Sequence, residues 1–160
     1  MADLTAVEAF WQSYLETLPK NHPHYFHSLP EAGGFGDSSE MADELGKLVL
    51  DGVKTATCGR YSGENLLDYA GLRIVLDGSE RPLCLCETVE ITVRRFCDVD
   101  VQFAFDEGEG DRSLAYWREA HRDFFTREAG QDGVPFHEEI LLECERFQVL
   151  YRNPGLEPLS

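Results

Sequence analysis

One segment limits the possible folds more than any other. In the stretch from Leu83 to Phe96, Leu83, Leu85, Val89, Ile91 and Val93 are apolar, while Thr88, Glu90, Thr92 and Arg94 fall between them. A period of two marks an extended strand with one face on a core. Glu87 breaks the pattern, because it falls on the apolar face. A carboxylate there needs a partner or stays protonated. Two explanations are open. A β-bulge turns it outward, or it lines a pocket opposite a cation, for which Lys54 is the candidate.

The other elements are read around this strand. Val7, Phe10, Trp11, Tyr14, Leu15 and Leu18 follow helical spacing and predict a helix over 5–18, with Thr5 and Glu8 as a capping pair and Pro19 closing it. Residues 20–36 read as a loop containing His22, His24 and His27, three histidines that can either meet a metal or sit on a pocket rim. A second helix spans 37–50, with Asp37 and Glu40 as its capping pair and Gly52 as its stop. A short turn or helix covers 65–69, a strand 71–76, and a turn Asp77-Gly78. Helices follow at 100–107 and 112–128, and a last strand at 139–152. In the second of these helices Leu114, Trp117, His121, Phe124 and Phe125 share a face. The tail 153–160 is proline-rich and expected to fray.

Composition narrows the function. A chain of 160 residues fits one domain, here taken as 1–152 with an N-terminal helical extension. The net charge of −16 disfavours general polyanion binding, because affinity for nucleic acid rests on neutralising phosphates. The five cysteines are odd in number and several lie in apolar runs, which suggests reduced thiols and a cytoplasmic protein. No apolar run approaches the ~18 residues of a membrane span.

Chemistry concentrates around Lys54, one of only three lysines. It stands in Gly52-Val53-Lys54-Thr55-Ala56-Thr57. A desolvated lysine can act as base or electrostatic stabiliser. The Thr57 hydroxyl can attack if an amine takes its proton, and a carboxylate, Glu107 or Glu87, can hold the lysine. Thr55, Arg60, Tyr61 and Glu87 are the candidate substrate contacts. Arg94 and Arg95 are further phosphate candidates, but as neighbours on a strand they face opposite ways. Glu107, Glu109 and Asp111 form an acidic cluster that either holds Mg²⁺ or Mn²⁺ or serves the start of the next helix; for Glu109 and Asp111 the helix role is preferred.

Taken together, Gly52 to Thr57, Leu72 to Asp77, Glu87 to Ile91, Phe103 to Asp111, Leu114 to Arg118 and Cys144 to Val149 resemble the ASCH domain family. The resemblance implies an α+β fold of PUA-like type, a small mixed β-barrel flanked by helices, with a cleft beside the G-x-K-x-x-T loop. Longer bacterial relatives look like ribonucleases acting on single-stranded RNA with a divalent metal. A shorter branch is similar to amidohydrolases of N4-acylated cytidine that use a lysine, a threonine and a glutamate, which fall here on Lys54, Thr57 and Glu107. A non-catalytic module for RNA or nucleotides is the third expectation.

Overall fold

The structure, a computed structural model, describes residues 4–63 and 71–156. The turn expected at 65–69 and the tail residues 157–160 lie outside the described residues. The chain forms two compact units: Met1–Leu50 with Gly71–Thr88 and Gln148–Ser160, and Asp51–Ala70 with Val89–Phe147. Strands β1 (Glu31–Gly33), β2 (Ala56–Arg60), β3 (Leu72–Leu76), β4 (Pro82–Arg95) and β5 (Leu141–Arg152) hydrogen-bond in the order β1-β3-β4-β5-β2. The β1–β3 pair is parallel, whereas β3–β4 and β2–β5 are antiparallel, so the sheet is mixed and the fold is α+β, as expected.

In the first unit, helix α1 (Leu4–Leu15) buries Val7, Phe10, Trp11, Tyr14 and Leu15 against Ile74, Leu76 and Leu85. It starts before Thr5, so Thr5 is not its cap. It also ends three residues short of the predicted Leu18. Side chains take over its last carbonyls: the Thr17 hydroxyl donates to Tyr14 O at 2.6 Å and the Tyr25 hydroxyl to Leu15 O at 2.6 Å. Helix α2 (Ser39–Leu50) is capped by Ser38, whose hydroxyl accepts from Met41 N at 3.1 Å, rather than by Asp37. Strand β1 falls in the stretch 20–36 that the sequence predicts as loop, because its three residues are too few to carry a periodic signal.

The alternation in β4 holds in only part of the strand. Leu83 to Cys86 are buried on both faces, as a continuous apolar run allows. Val89 and Val93 are instead 57% and 45% exposed, so the odd-numbered face leaves the core after Leu85. Glu87 sits in regular register opposite Leu72, and the irregularity of this ladder lies at Val75/Leu76, so the β3–β4 ladder has no bulge at Glu87. Its carboxylate accepts from Gln148 Nε2 at 3.2 Å, whereas the carboxylates at Lys54 Nζ are those of Glu107 and Glu109.

The second unit has its own core of Ala56, Phe96, Val99, Phe103, Ala104, Trp117, Phe125, Leu142 and Cys144. Helix α3 (Val101–Glu107) begins at Asp100, whose carboxylate accepts from Phe103 N at 2.8 Å, and ends at Gly108 with φ 78°. Helix α4 (Leu114–Gln131) is capped by Ser113, whose hydroxyl accepts from Tyr116 N at 3.0 Å. Asp111, the expected cap, accepts from Ser113 N at 2.9 Å and so shapes the turn before the cap. No helix among the described residues is long and apolar enough to cross a membrane.

Candidate functional site

Three segments of the second unit meet at one point. Two backbone bonds clamp the loop before β2, from Thr55 N to Asp106 O at 2.8 Å and from Phe147 N to Thr55 O at 3.1 Å. The end of α3 lies directly against this loop. A Cβ built on Gly108 would stand 2.7 Å from Val53 O, so only glycine permits both the left-handed turn and the close approach. This packing delivers Glu107 and Glu109 to Lys54. From α4, Trp117 and His121, one turn apart on the helix, supply the third side.

Lys54 and Glu107 are the two buried charges at the centre, each about 2% exposed. Lys54 Nζ donates to Ala56 O at 2.9 Å, lies 3.4 Å from both Glu107 O and Glu107 Oε1, and 3.7 Å from Glu109 Oε2. Every one of these neighbours is an oxygen acceptor, the setting of an ammonium donor. Glu107 in turn is ringed by donors. Trp117 Nε1 donates to Oε2, His121 Nε2 lies 3.1 Å from Oε2, and the Cys58 thiol lies 3.7 Å from it. Burial alone would raise the pKa of this carboxyl, but the charges of Lys54 and His121 and the bonds from His121 and Trp117 hold it at about 2.

Both ring nitrogens of His121 face oxygen: Nδ1 lies 2.9 Å from Trp117 O and Nε2 faces Glu107. Neither a carbonyl nor an ionised carboxylate can donate, so hydrogen on both nitrogens, the imidazolium form, is what satisfies both contacts. The Trp117 indole stacks on it at 4.3 Å and 16°, which further favours a cation. Burial lowers its pKa, but Glu107, Glu109 and the Trp117 carbonyl outweigh that and leave it raised. Burial, with the nearby Glu107 charge, pushes the Cys58 thiol well up, and burial pushes Cys144 up to about 12. Both are inert thiols.

The expected site residues divide into two groups. Lys54 and Glu107 come together, and Glu109 joins them instead of serving α4. The Thr57 hydroxyl makes no hydrogen bond among the described residues, and the pleat of β2 puts it on the face opposite Cys58, away from the Glu107 side. The Thr55 hydroxyl is 3.4 Å from Asp106 O, and Tyr61 is held by its backbone N at 3.0 Å from Leu141 O. Arg60 is taken up by Glu128 and Asp132, Arg94 by Asp100, and Arg95 by Asp98. Glu87 belongs to the first unit. So do His22, His24 and His27, whose Nδ1 atoms are engaged with His24 N, Tyr14 Oη and Ser28 O. His121 was visible in the sequence only as one residue of an apolar helix face. Its spacing of four from Trp117 was the usable signal.

Cys58, Glu107 and His121 offer ligand atoms within 4.8 Å of one another. They do not suit Mg²⁺ or Mn²⁺, which seek several hard oxygens. The Glu107 carboxylate is already engaged by four donors, and a cation would have to displace protons beside the Lys54 ammonium. Solvent reaches this group at its edge, where the side chains of Glu109 and His121 are 20% and 12% exposed and Cys58 is half-buried. Two surface grooves, one along α4 from Tyr116 to Thr126 and one between Ala32 and Glu80, are lined by none of these residues.

The ASCH domain family model matches residues 31–151, and the chain belongs to that family. The ASCH domain of Lactobacillus crispatus JV V101 has 30% sequence identity and a TM-score of 0.83, over 92% of this chain and 96% of that one. A protein of Enterococcus faecalis V583 has 31% identity and a TM-score of 0.81, over 99% of this chain and all of that one. The PUA-like architecture expected from the sequence is therefore present. No curated protein matches at a significant level. Family membership supports an RNA-related domain.

Proposed function

We propose that this protein is an RNA-related hydrolase whose reaction centre is the Lys54–Glu107 pair, acting on a nucleoside-sized substrate, an acyl amide on a pyrimidine base such as N4-acetylcytidine. The observation that carries this reading is the burial of both charges, at about 2% exposure each. Two ions taken out of water cost several kcal/mol each before their attraction is counted, and apolar residues of similar size would often stabilise a fold as well. Buried, perturbed charges of this kind concentrate at working sites. In this reading the Lys54 ammonium, lying just beneath the solvent-reached edge, favours through its field the negative charge that develops on the amide carbonyl, and Glu107, ionised at neutral pH, fixes the positions of Lys54 and His121.

Charge favours a small neutral substrate over a polyanion. Lys54, His121, Glu107 and Glu109 sum to zero, and Arg60, Arg94, Arg95 and Arg146 are each held by acids. A ribonuclease acting on single-stranded RNA is the second reading, favoured by the two cations, Lys54 and His121, side by side at Glu107. The test is turnover of N4-acetylcytidine and of single-stranded RNA, with and without Mn²⁺ or chelator, beside Lys54→Ala. The proposal expects cytidine release that is unaffected by EDTA and lost in the variant. RNA cleavage alone would support the second reading. Binding of either ligand without turnover would leave a binding module and end both.

A further inference from the structure

The geometry points to His121 and Glu109 as the proton-transfer pair of this site, with His121 Nε2 giving the proton to the leaving amine and the Glu109 carboxylate taking one from the attacking water. The inference rests on the hydrolase reading above. Three observations lead to it. Both ring nitrogens of His121 face acceptors, so the ring holds a proton that it can give up. Glu109 Oε2 lies 3.8 Å from His121 Nε2, a separation that one bridging water spans for the return of a proton after turnover. These two side chains are also the solvent-reached edge of a cluster whose other charges are sealed.

The cluster contains no hydroxyl, so the attack falls to water. The water oxygen bonds to the acyl carbon while its proton passes to Glu109. The C–N bond then breaks, and the exocyclic nitrogen leaves as the amine with the proton from His121. Transfer of the Glu109 proton to His121 restores the starting state, and the sum is amide plus water to carboxylic acid plus amine. Glu107 serves as a positioning residue, since it touches the ring rather than the substrate. The groups facing His121 are Glu107 from the end of α3, Glu109 from the turn after it, Cys58 on β2 and Trp117 on its own helix, with Lys54 bound to the same two carboxylates.

The test compares wild type with His121→Gln, and with His121→Ala as a second variant, on N4-acetylcytidine across pH 5–10. Glutamine keeps a donor toward Glu107 but cannot transfer a proton. Positioned acid–base groups contribute about 10²–10⁴-fold. We expect kcat to fall by at least about 10²-fold in both variants with KM little changed, and the alkaline limb of the wild-type profile to vanish. A role in packing alone would leave His121→Gln active with that limb intact, and this result would overturn the inference while leaving the hydrolase reading standing. Wild-type protein that turns over neither the nucleoside amide nor RNA would instead remove the hydrolase reading, and the inference with it.

Discussion

Glu107→Gln is the most informative single change. The glutamine is nearly isosteric, so packing is preserved and only the charge is lost. The pKa of Glu107 is held at about 2 against an ordinary 4.5. A depression of that order, at about 1.4 kcal/mol for each tenfold change in the ionisation constant, corresponds to a few kcal/mol of stabilisation at neutral pH. Removing one member of a buried pair costs about 3–5 kcal/mol by independent reckoning, because the other charge is stranded. For a chain of this size that is a melting temperature lower by about 10 °C. The sign also follows. The folded value lies below the unfolded one, so the stabilisation is complete above pH 4.5 and is lost as pH falls toward 2. Urea unfolding at pH 7 and at pH 3 measures this, and the gap between wild type and variant must shrink at the lower pH. A gap below about 1 kcal/mol at pH 7, or one independent of pH, would refute the electrostatic reasoning.

Other outcomes follow from the same geometry. Gly108→Ala forces a Cβ to within 2.7 Å of Val53 O at a positive φ; it should destabilise by about 1–3 kcal/mol and lower turnover by displacing Glu109, as unfolding and rate measurements would show together. Ser113→Ala removes the α4 cap and should cost about 1 kcal/mol in urea unfolding with little effect on kcat. Cys58 and Cys144 should resist iodoacetamide at pH 8 in the folded protein, because burial raises both thiols; mass spectrometry showing rapid labelling at either would contradict that. Charge on His121 stabilises the fold fully below pH 6.5, and this contribution is lost as pH rises through its higher folded value. His121→Gln should therefore be most destabilising at low pH, and a larger deficit at high pH would reverse the argument.

Much of the scaffold was legible in the sequence. Helical spacing located α1, α2 and α4, a short helix expected at 100–107 matches α3, and the Leu83–Phe96 alternation located β4 to within a residue. The misses have physical causes. Capping moved by one or two residues wherever a serine hydroxyl, at Ser38 or Ser113, competed with a nearby aspartate. Apolar identity in β4 did not decide burial, since cover over the strand is set by elements elsewhere in the chain. At the site, the G-x-K-x-x-T loop and the acidic run marked Lys54 and Glu107. The sequence did not reveal that Glu107 belongs with His121. That link depends on Gly108, which ends α3 and returns the chain toward α4. The spacing pairs Thr57 with Lys54, but β2 begins between them and its pleat turns Thr57 to the face opposite Cys58.

The state of the ring beside Glu107 decides whether a second cation completes the buried pair. Nitrogen-15 NMR of the His121 side chain at pH 7 observes it directly. Hydrogen on both ring nitrogens in the wild type, reduced to one in Glu107→Gln, is the predicted result. A neutral ring with a single hydrogen in the wild type would contradict the account.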